Sequence, residues 1–359
     1  MKAMKPMYKI LLLALFLPLT LLANDNHKKG KYTKSKTINK EFNVNNNSTL
    51  NVKNKYGDIT ISTWNKNLIT ITVNISTNGN DEKKVEDRLK NITVEFDANT
   101  DVVSAITKIE KKSKSWGWWG NDNVSMKINY IIKMPATNNV KLANDYGNIV
   151  LDNLSGAAFI NCDYGKLDIG RLENEVNNIS IDYTKGSNIE YLNRGVINAD
   201  YSTLHIENSD LVKLNADYSH LSFGKTETLN YNCDYGSLDV ENANFVKGRS
   251  DYMHAKIERI DLSGNFNSDY GSIKIGSLGN AFKNLQVQTS YTHVKIGVAS
   301  TNSFKIEANL SYTNFKTLNG FNFSKEIING SKKYYQGYFN APSNAQINIK
   351  SSYGSVTFN

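Results

Sequence analysis

Proline and cysteine are scarce in this chain of 359 residues, which holds four of the first and two of the second. Two cysteines cannot build the disulfide framework of a small secreted domain. Beyond the first 23 residues the only prolines are Pro135 and Pro342. Proline removes a ladder hydrogen bond and is confined to sheet edges, so the long proline-free interval suits strands paired on both sides. Apolar runs are missing too: after Ile10–Leu22 no stretch approaches the roughly 20 apolar residues of a membrane-spanning helix. A formal charge of +8, from 42 basic and 34 acidic residues, is no nucleic-acid footprint on a chain of this length. There is no nucleophile elbow, phosphate loop or CxxC pair.

Residues 1–23 carry Lys2, Lys5 and Lys9, then the apolar run, then Ala23 before a polar stretch. That order predicts a secretory signal peptide cleaved near Ala23, followed by a flexible polar N-terminus over 24–40. No cysteine stands at the cleavage point, so no lipoprotein anchor is expected. The expected location is the periplasm, the cell surface or the medium.

What is abundant is one repeated corner. "NCDYGKLDI" at 161–169 and "NCDYGSLDV" at 232–240 are near-copies. Aligned on tyrosine, the copies centre on Tyr146, Tyr164, Tyr183, Tyr201, Tyr218, Tyr235, Tyr252, Tyr270, Tyr291 and Tyr312, spaced 17 to 21 residues apart. Tyr353 follows 41 residues after Tyr312, and an outlying copy surrounds Tyr56. Such a period predicts stacked repeats that share one core. Before the tyrosine, positions −6, −4 and −2 are apolar or small, as in Val212, Leu214 and Ala216; after it, +3 and +5 are apolar, as in Leu221 and Phe223. Period-two alternation means strands with one buried face, and the slip from even to odd positions requires a corner between −2 and +1. Apolar residues at +8 (Leu154, Leu172, Ile260, Leu278) suggest a third short side. The expected fold is all-β: a single-stranded, β-helix-like solenoid over 140–359, preceded by a β-rich segment over 41–139, the two together one continuous domain.

Position −1 is Asp145, Asp163, Asp182, Asp200, Asp217, Asp234, Asp251 and Asp269, then Ser290, Ser311 and Ser352. Stacked at about 4.8 Å, neighbouring carboxylates would repel by roughly 3 kcal/mol at an effective dielectric of 20, and by about 1 kcal/mol in water. Replacement by serine points to a turn-fixing role, since Asp and Ser both bond a backbone N–H two residues on. A calcium column and a glycosidase carboxylate pair are the functional alternatives. Position +1 is glycine or, elsewhere, Thr184, Ser202, Ser219, Met253, Thr292 or Thr313. Small size is therefore expected there rather than a left-handed backbone. The tyrosines should stack along the corner, as packing or as an aromatic strip for a glycan or a partner.

Cys162 and Cys233 share column −2 four repeats apart, some 19 Å, too far for a disulfide, so both read as small core residues. His220, His254 and His293 occupy column +2 on alternate repeats, about 10 Å apart, and cannot share one metal ion. No metal site and no cofactor is expected. Column +4 gathers Lys256, Lys274, Lys295 and Lys316 in the later repeats, after Asp168 and Asp239, which suits an anionic partner or a solvated face.

Within 41–139, "DEKKVEDRLKN" reads as a short helical or loop connection, and "VSAITKIEKKSKS" with "VSMKINYIIKM" as a long antiparallel hairpin. Trp116, Trp118 and Trp119 sit between them, either folded over a sheet edge or exposed as a tip for sugar, lipid headgroup or protein.

The stretches "STLNVKNKYGDITISTW" (48–64), "INYIIKMPATNNVKLANDYGNIVLDNLSG" (128–156) and "AQINIKSSYGSVTFN" (345–359), with the tandem repeats, resemble the bacterial putative-adhesin family of β-strand-repeat domains of unknown function, common in Bacteroidota. The resemblance implies the fold and brings no catalytic residues. The expected function is an exported, non-enzymatic envelope or surface protein that binds glycan, matrix or another envelope component. The alternative is a β-helix carbohydrate-active enzyme acting on an acidic polysaccharide.

Overall fold

The computed structural model describes residues 30–110 and 123–359. Over these the chain is all-β, with one helix, and the strands join in a single 24-stranded sheet. The segment 1–23, expected to be a signal peptide, and Trp116, Trp118 and Trp119 lie outside the described residues.

Consecutive repeats pair in parallel and in register. Ala158–Asp163 lies between Asn139–Asp145 and Asn177–Asp182, with Asp163 opposite both Asp145 and Asp182. Ser187–Asp200 and Thr203–Asp217 continue the pattern, and Asp217 stands opposite Asp234. His220–Asp269 is a strand of 50 residues that passes through the corners at Tyr235 and Tyr252. It turns back on itself, because the Asp251 N–H donates to Asp234 Oδ1 at 2.9 Å.

In most repeats positions −6, −4 and −2 before the tyrosine and +3 and +5 after it are buried, as the phase slip requires; Val212, Leu214, Leu221 and Phe223 are at most 3% exposed, whereas after Tyr183 the buried pair shifts by one residue to Ser187 and Ile189. Leu154, Leu172, Ile260 and Leu278 at +8 are buried with them. One apolar cluster runs from Val44 to Phe358.

The ends of the stack depart from chain order. Thr49–Lys55, the strand before Tyr56, pairs in register with Asn139–Asp145 on one side and with Val102–Ile109 on the other. At the far end Gln346–Ser352 inserts between Asn284–Ser290 and Phe304–Ser311, parallel to both. The repeat of Tyr353 therefore stands before that of Tyr312, not two periods beyond it. Beyond Phe304–Ser311 the sheet continues as an antiparallel hairpin, Lys332–Phe339 and Phe321–Asn329.

Two expectations are corrected. Val102–Ile109 and Ser125–Pro135 do not form a hairpin with each other. The first pairs antiparallel with Ile92–Ala98, the second with Leu68–Gly79, and each also lies parallel to one arm of the Tyr56 repeat. Both strands are apolar on one face, so each completes the core at the end of the stack. Nor is the polar segment over 24–40 flexible where described: Tyr32–Asn43 is a strand with twelve residues in register with Leu68–Gly79. Ile38 and Phe42, on the same face as Lys34, Lys36 and Lys40, are half-buried and pack on the core. The segment 81–91 contains the helix Glu82–Lys90, capped by the Asp81 carboxylate, which accepts from the Lys84 N–H at 3.1 Å.

Candidate functional site: the tyrosine corner

Twelve tyrosines, from Tyr56 to Tyr353, sit at φ between +50° and +63°. The left-handed residue of the corner is therefore the tyrosine itself. A bulky residue in this region costs about 1–2 kcal/mol, so one strain is repeated twelve times. The kink reverses side-chain alternation, which is the physical origin of the phase slip. Glycine at +1 answers a different need: a Cβ on Gly147 would lie 2.0 Å from the Gly57 carbonyl oxygen, and one on Gly165 at the same distance from that of Gly147.

The rings stack face to face in eleven steps of 4.8 to 5.3 Å, with interplanar angles no greater than 11°. This is the spacing of adjacent strands, and it makes a strip about 54 Å long. Eleven of the tyrosines are 45–61% exposed. Each ring covers the faces of its neighbours, so the strip offers ring edges to water and open faces only at its two ends. Stacking of a sugar ring on a tyrosine face is blocked along its length.

The aspartates bond between repeats rather than within a turn. The Asp217 N–H donates to Asp200 Oδ1 at 3.1 Å, as Asp251 does to Asp234. In three corners the N–H at +1, the expected donor, bonds instead to a hydroxyl of the next repeat. Thr184 N–H donates to Ser202 Oγ at 3.1 Å, Ser202 N–H to Ser219 Oγ at 3.0 Å, and Gly271 N–H to Thr292 Oγ1 at 3.3 Å. The tyrosine N–H goes to the next repeat's carbonyl at −1, as from Tyr218 to Asp234 O at 3.0 Å. Hydroxyls at +1 tie repeats together: Ser219 Oγ donates to Asp217 O and Ala199 O, and Thr313 Oγ1 to Ser311 O and Ser351 O.

Charge accumulates in this column. Burial, then the charge of neighbouring aspartates, pushes the carboxyls of Asp163, Asp182, Asp217 and Asp251 above the ordinary range. Lys55 bonds Asp145 at 3.0 Å at one end. Among the described residues no group of three or more His, Cys, Asp or Glu is placed to hold a metal ion.

The histidines meet serines, not one another. His220, His254 and His293 Nδ1 lie 2.8 to 2.9 Å from Ser237, Ser272 and Ser355 Oγ, each on the neighbouring repeat. His205 bridges Ser222 and Glu207. Cys162 and Cys233 are buried free thiols, pushed up to about 12 by burial and then by the aspartates beside them. Lys256, Lys274 and Lys295 are consecutive across three strands, with Thr357 between Lys295 and Lys316.

No family model matches this chain, and no curated protein matches it. Among solved structures it is similar to a putative cell adhesion protein from Clostridium sporogenes, at 12% identity and TM-score 0.20 over 90% of this chain and 99% of that one. It is also similar to putative adhesins from Parabacteroides distasonis, at 8% identity and TM-score 0.34 over 90% and 97%, and Parabacteroides merdae, at 11% and 0.33 over 90% and 96%. Likeness at this level decides neither topology nor activity. No helix among the described residues is long and apolar enough to cross a membrane.

Proposed function

We propose that the chain is an exported, non-enzymatic binding scaffold of the cell envelope or surface, of the putative-adhesin kind, built as a β-solenoid of 17–21-residue repeats. One observation carries this reading: the unbroken, half-exposed tyrosine strip. At about 100 Å² per ring, half of what a tyrosine can bury, the strip exposes on the order of 1,000 Å². Soluble monomers rarely show apolar patches above about 300–600 Å², and larger ones mark interaction surfaces. Backbone strain held at every corner points the same way, since strain persists where structure or use demands it. A strip of edges and hydroxyls at strand spacing suits an extended partner, a glycan, matrix polymer or envelope protein laid along the stack.

The test is capture of purified envelope glycan and envelope protein by the mature chain, beside a Tyr201/Tyr218/Tyr235/Tyr252→Phe variant and a Trp116/Trp118/Trp119→Ala variant. The Phe variant keeps the stack and removes four hydroxyls. Capture reduced severalfold with an unchanged melting temperature supports the corner as the binding surface. Loss only in the Trp variant moves the site off the corner. Capture by none of the three proteins refutes the scaffold reading.

A further inference from the structure

A concavity lies where the final repeats meet the C-terminal hairpin, lined at the corner by Asp269, Ser290, Ser311 and Ser352 and on the hairpin by Ile327, Lys332, Lys333 and Tyr334. It is a cleft of about 590 Å³, adjoined by a second of about 530 Å³ on the same side of the sheet. Its floor can be read from the strand register. Asn267, Gln288, Lys350, Asn309, Tyr334 and Ile327 are successive partners across six adjacent strands, and all six line the larger cleft. A second row runs beside it from Asp269 through Ser290, Ser352 and Ser311 to Lys332. The adjoining cleft continues the pattern with Asn265, Gln286 and Asn348. Carboxamides and hydroxyls, which both donate and accept hydrogen bonds, therefore cover a surface with an aromatic ring and an isoleucine at one wall.

The charge of this surface is opposite to that of the corner column. Aspartate gives way to serine at −1 in the three repeats that face the hairpin, and Lys332, Lys333 and Lys350 line the larger cleft against Asp269 alone. Glu307 lines the adjoining one beside Lys350 and sits close enough to raise the Tyr334 phenol, after the effect of burial. Were the serines aspartates, carboxylates would stand at about 4.8 Å steps along the cleft and repel an anion.

We infer that this cleft binds an acidic oligosaccharide, with the carboxamide and serine rows pairing its hydroxyls, Tyr334 covering an apolar sugar face, and the lysines pairing its carboxylates. Planar donor–acceptor groups with few charges suit a polyhydroxylated ligand, and the lysines select the acidic kind. The cleft adjoins the corner at the −1 residues beside Tyr270, Tyr291, Tyr312 and Tyr353 but is lined by none of the strip tyrosines, so variants of the two surfaces separate this inference from the scaffold reading.

The experiment is calorimetric titration of the mature chain with a hexamer of galacturonate, a neutral cello-hexaose and a glutamate hexapeptide. It is repeated on Lys332→Gln/Lys350→Gln, on Tyr334→Ala and, as a control, on the corner variant with four Tyr→Phe changes. The inference expects saturable binding of the galacturonate hexamer, and at least tenfold weaker binding of the other two probes. It expects about a tenfold loss or more in the lysine and Tyr334 variants, the scale of losing one charged hydrogen bond or one aromatic contact, and no loss in the corner variant. Melting curves confirm that the exposed Lys→Gln changes leave the fold intact. Absence of galacturonate binding overturns the inference, as does equal binding of the glutamate peptide, equal binding of the neutral sugar, or retention of full affinity in the lysine variant.

Discussion

Tyr235 tests whether the corner is strained and what offsets the strain. Its ring stacks on Tyr218 at 4.8 Å and on Tyr252 at 4.9 Å, its φ is +52°, and it is 45% exposed. Tyr235→Ala removes two stacking contacts, each about 0.5–1.5 kcal/mol. It also exposes about 100 Å² of buried surface, about 2.5 kcal/mol at ~25 cal/mol/Å². The two estimates overlap, and a loss of about 3–4 kcal/mol is expected. Alanine keeps the left-handed strain. Tyr235→Gly loses the same contacts but relieves about 1–2 kcal/mol of strain, against about 0.5–1 kcal/mol of added chain entropy. Glycine should therefore be the less damaging change, by about 0.5–1 kcal/mol. Tyr235→Phe keeps ring and stacks and should stay within about 0.5 kcal/mol of the parent. Urea denaturation of the four proteins gives the order Tyr, Phe, Gly, Ala. An alanine variant as stable as the glycine variant would show that the tyrosine bears no net strain, and parent-like stability in both would mean that the stack contributes nothing.

The raised aspartate column gives a pH dependence. A carboxyl whose folded pKa lies above its unfolded value, near 3.8, contributes stability that is full below 3.8 and is lost as pH rises through the folded value. Asp217→Asn removes the charge and keeps an acceptor oxygen, so it should raise the melting temperature at pH 7 and leave it unchanged near pH 3; a lower value at pH 7 contradicts the column's mutual repulsion. Leu238 is fully buried and Asp239 exposed, so Leu238→Asp should cost several kcal/mol and Asp239→Lys almost nothing; equal thermal shifts would mean that the strand phase is wrong. Deleting 346–359 removes Ile347, Ile349, Val356 and Phe358, all buried. At about 1.5–3 kcal/mol each this approaches the whole stability of a domain. Limited proteolysis should then cut within 284–345, and resistance equal to the parent would refute the inserted placement of that strand pair.

The phase of most repeats was legible in the sequence, because inward and outward side chains are a local pattern: Leu221 and Phe223 after Tyr218 are buried as their spacing requires, while the one-residue shift to Ser187 and Ile189 after Tyr183 was not legible. The segment 81–91 read as either a helix or a loop, and the structure makes it the helix Glu82–Lys90. The role of Asp217 was not, since its carboxylate and its N–H both look to other repeats, and a bond between residues 17 apart leaves no local mark. The left-handed tyrosine was hidden by chemistry: tyrosine is disfavoured at positive φ, and only the rings above and below it offset the cost.

The sequence by itself determined the period, the corner and the buried face, all consequences of side chains within one repeat. Only the tertiary structure decided the order of the stack at its ends and the cleft shared by the last repeats and the hairpin. Tyr56 stacks on Tyr146, and Tyr353 between Tyr291 and Tyr312. The reason is that one repeat's edge offers the same row of backbone N–H and C=O groups as any other, so local pattern cannot say which edges meet. That choice is made by the whole core, and with it the row from Asn267 to Ile327, drawn from six strands, is brought to a single surface.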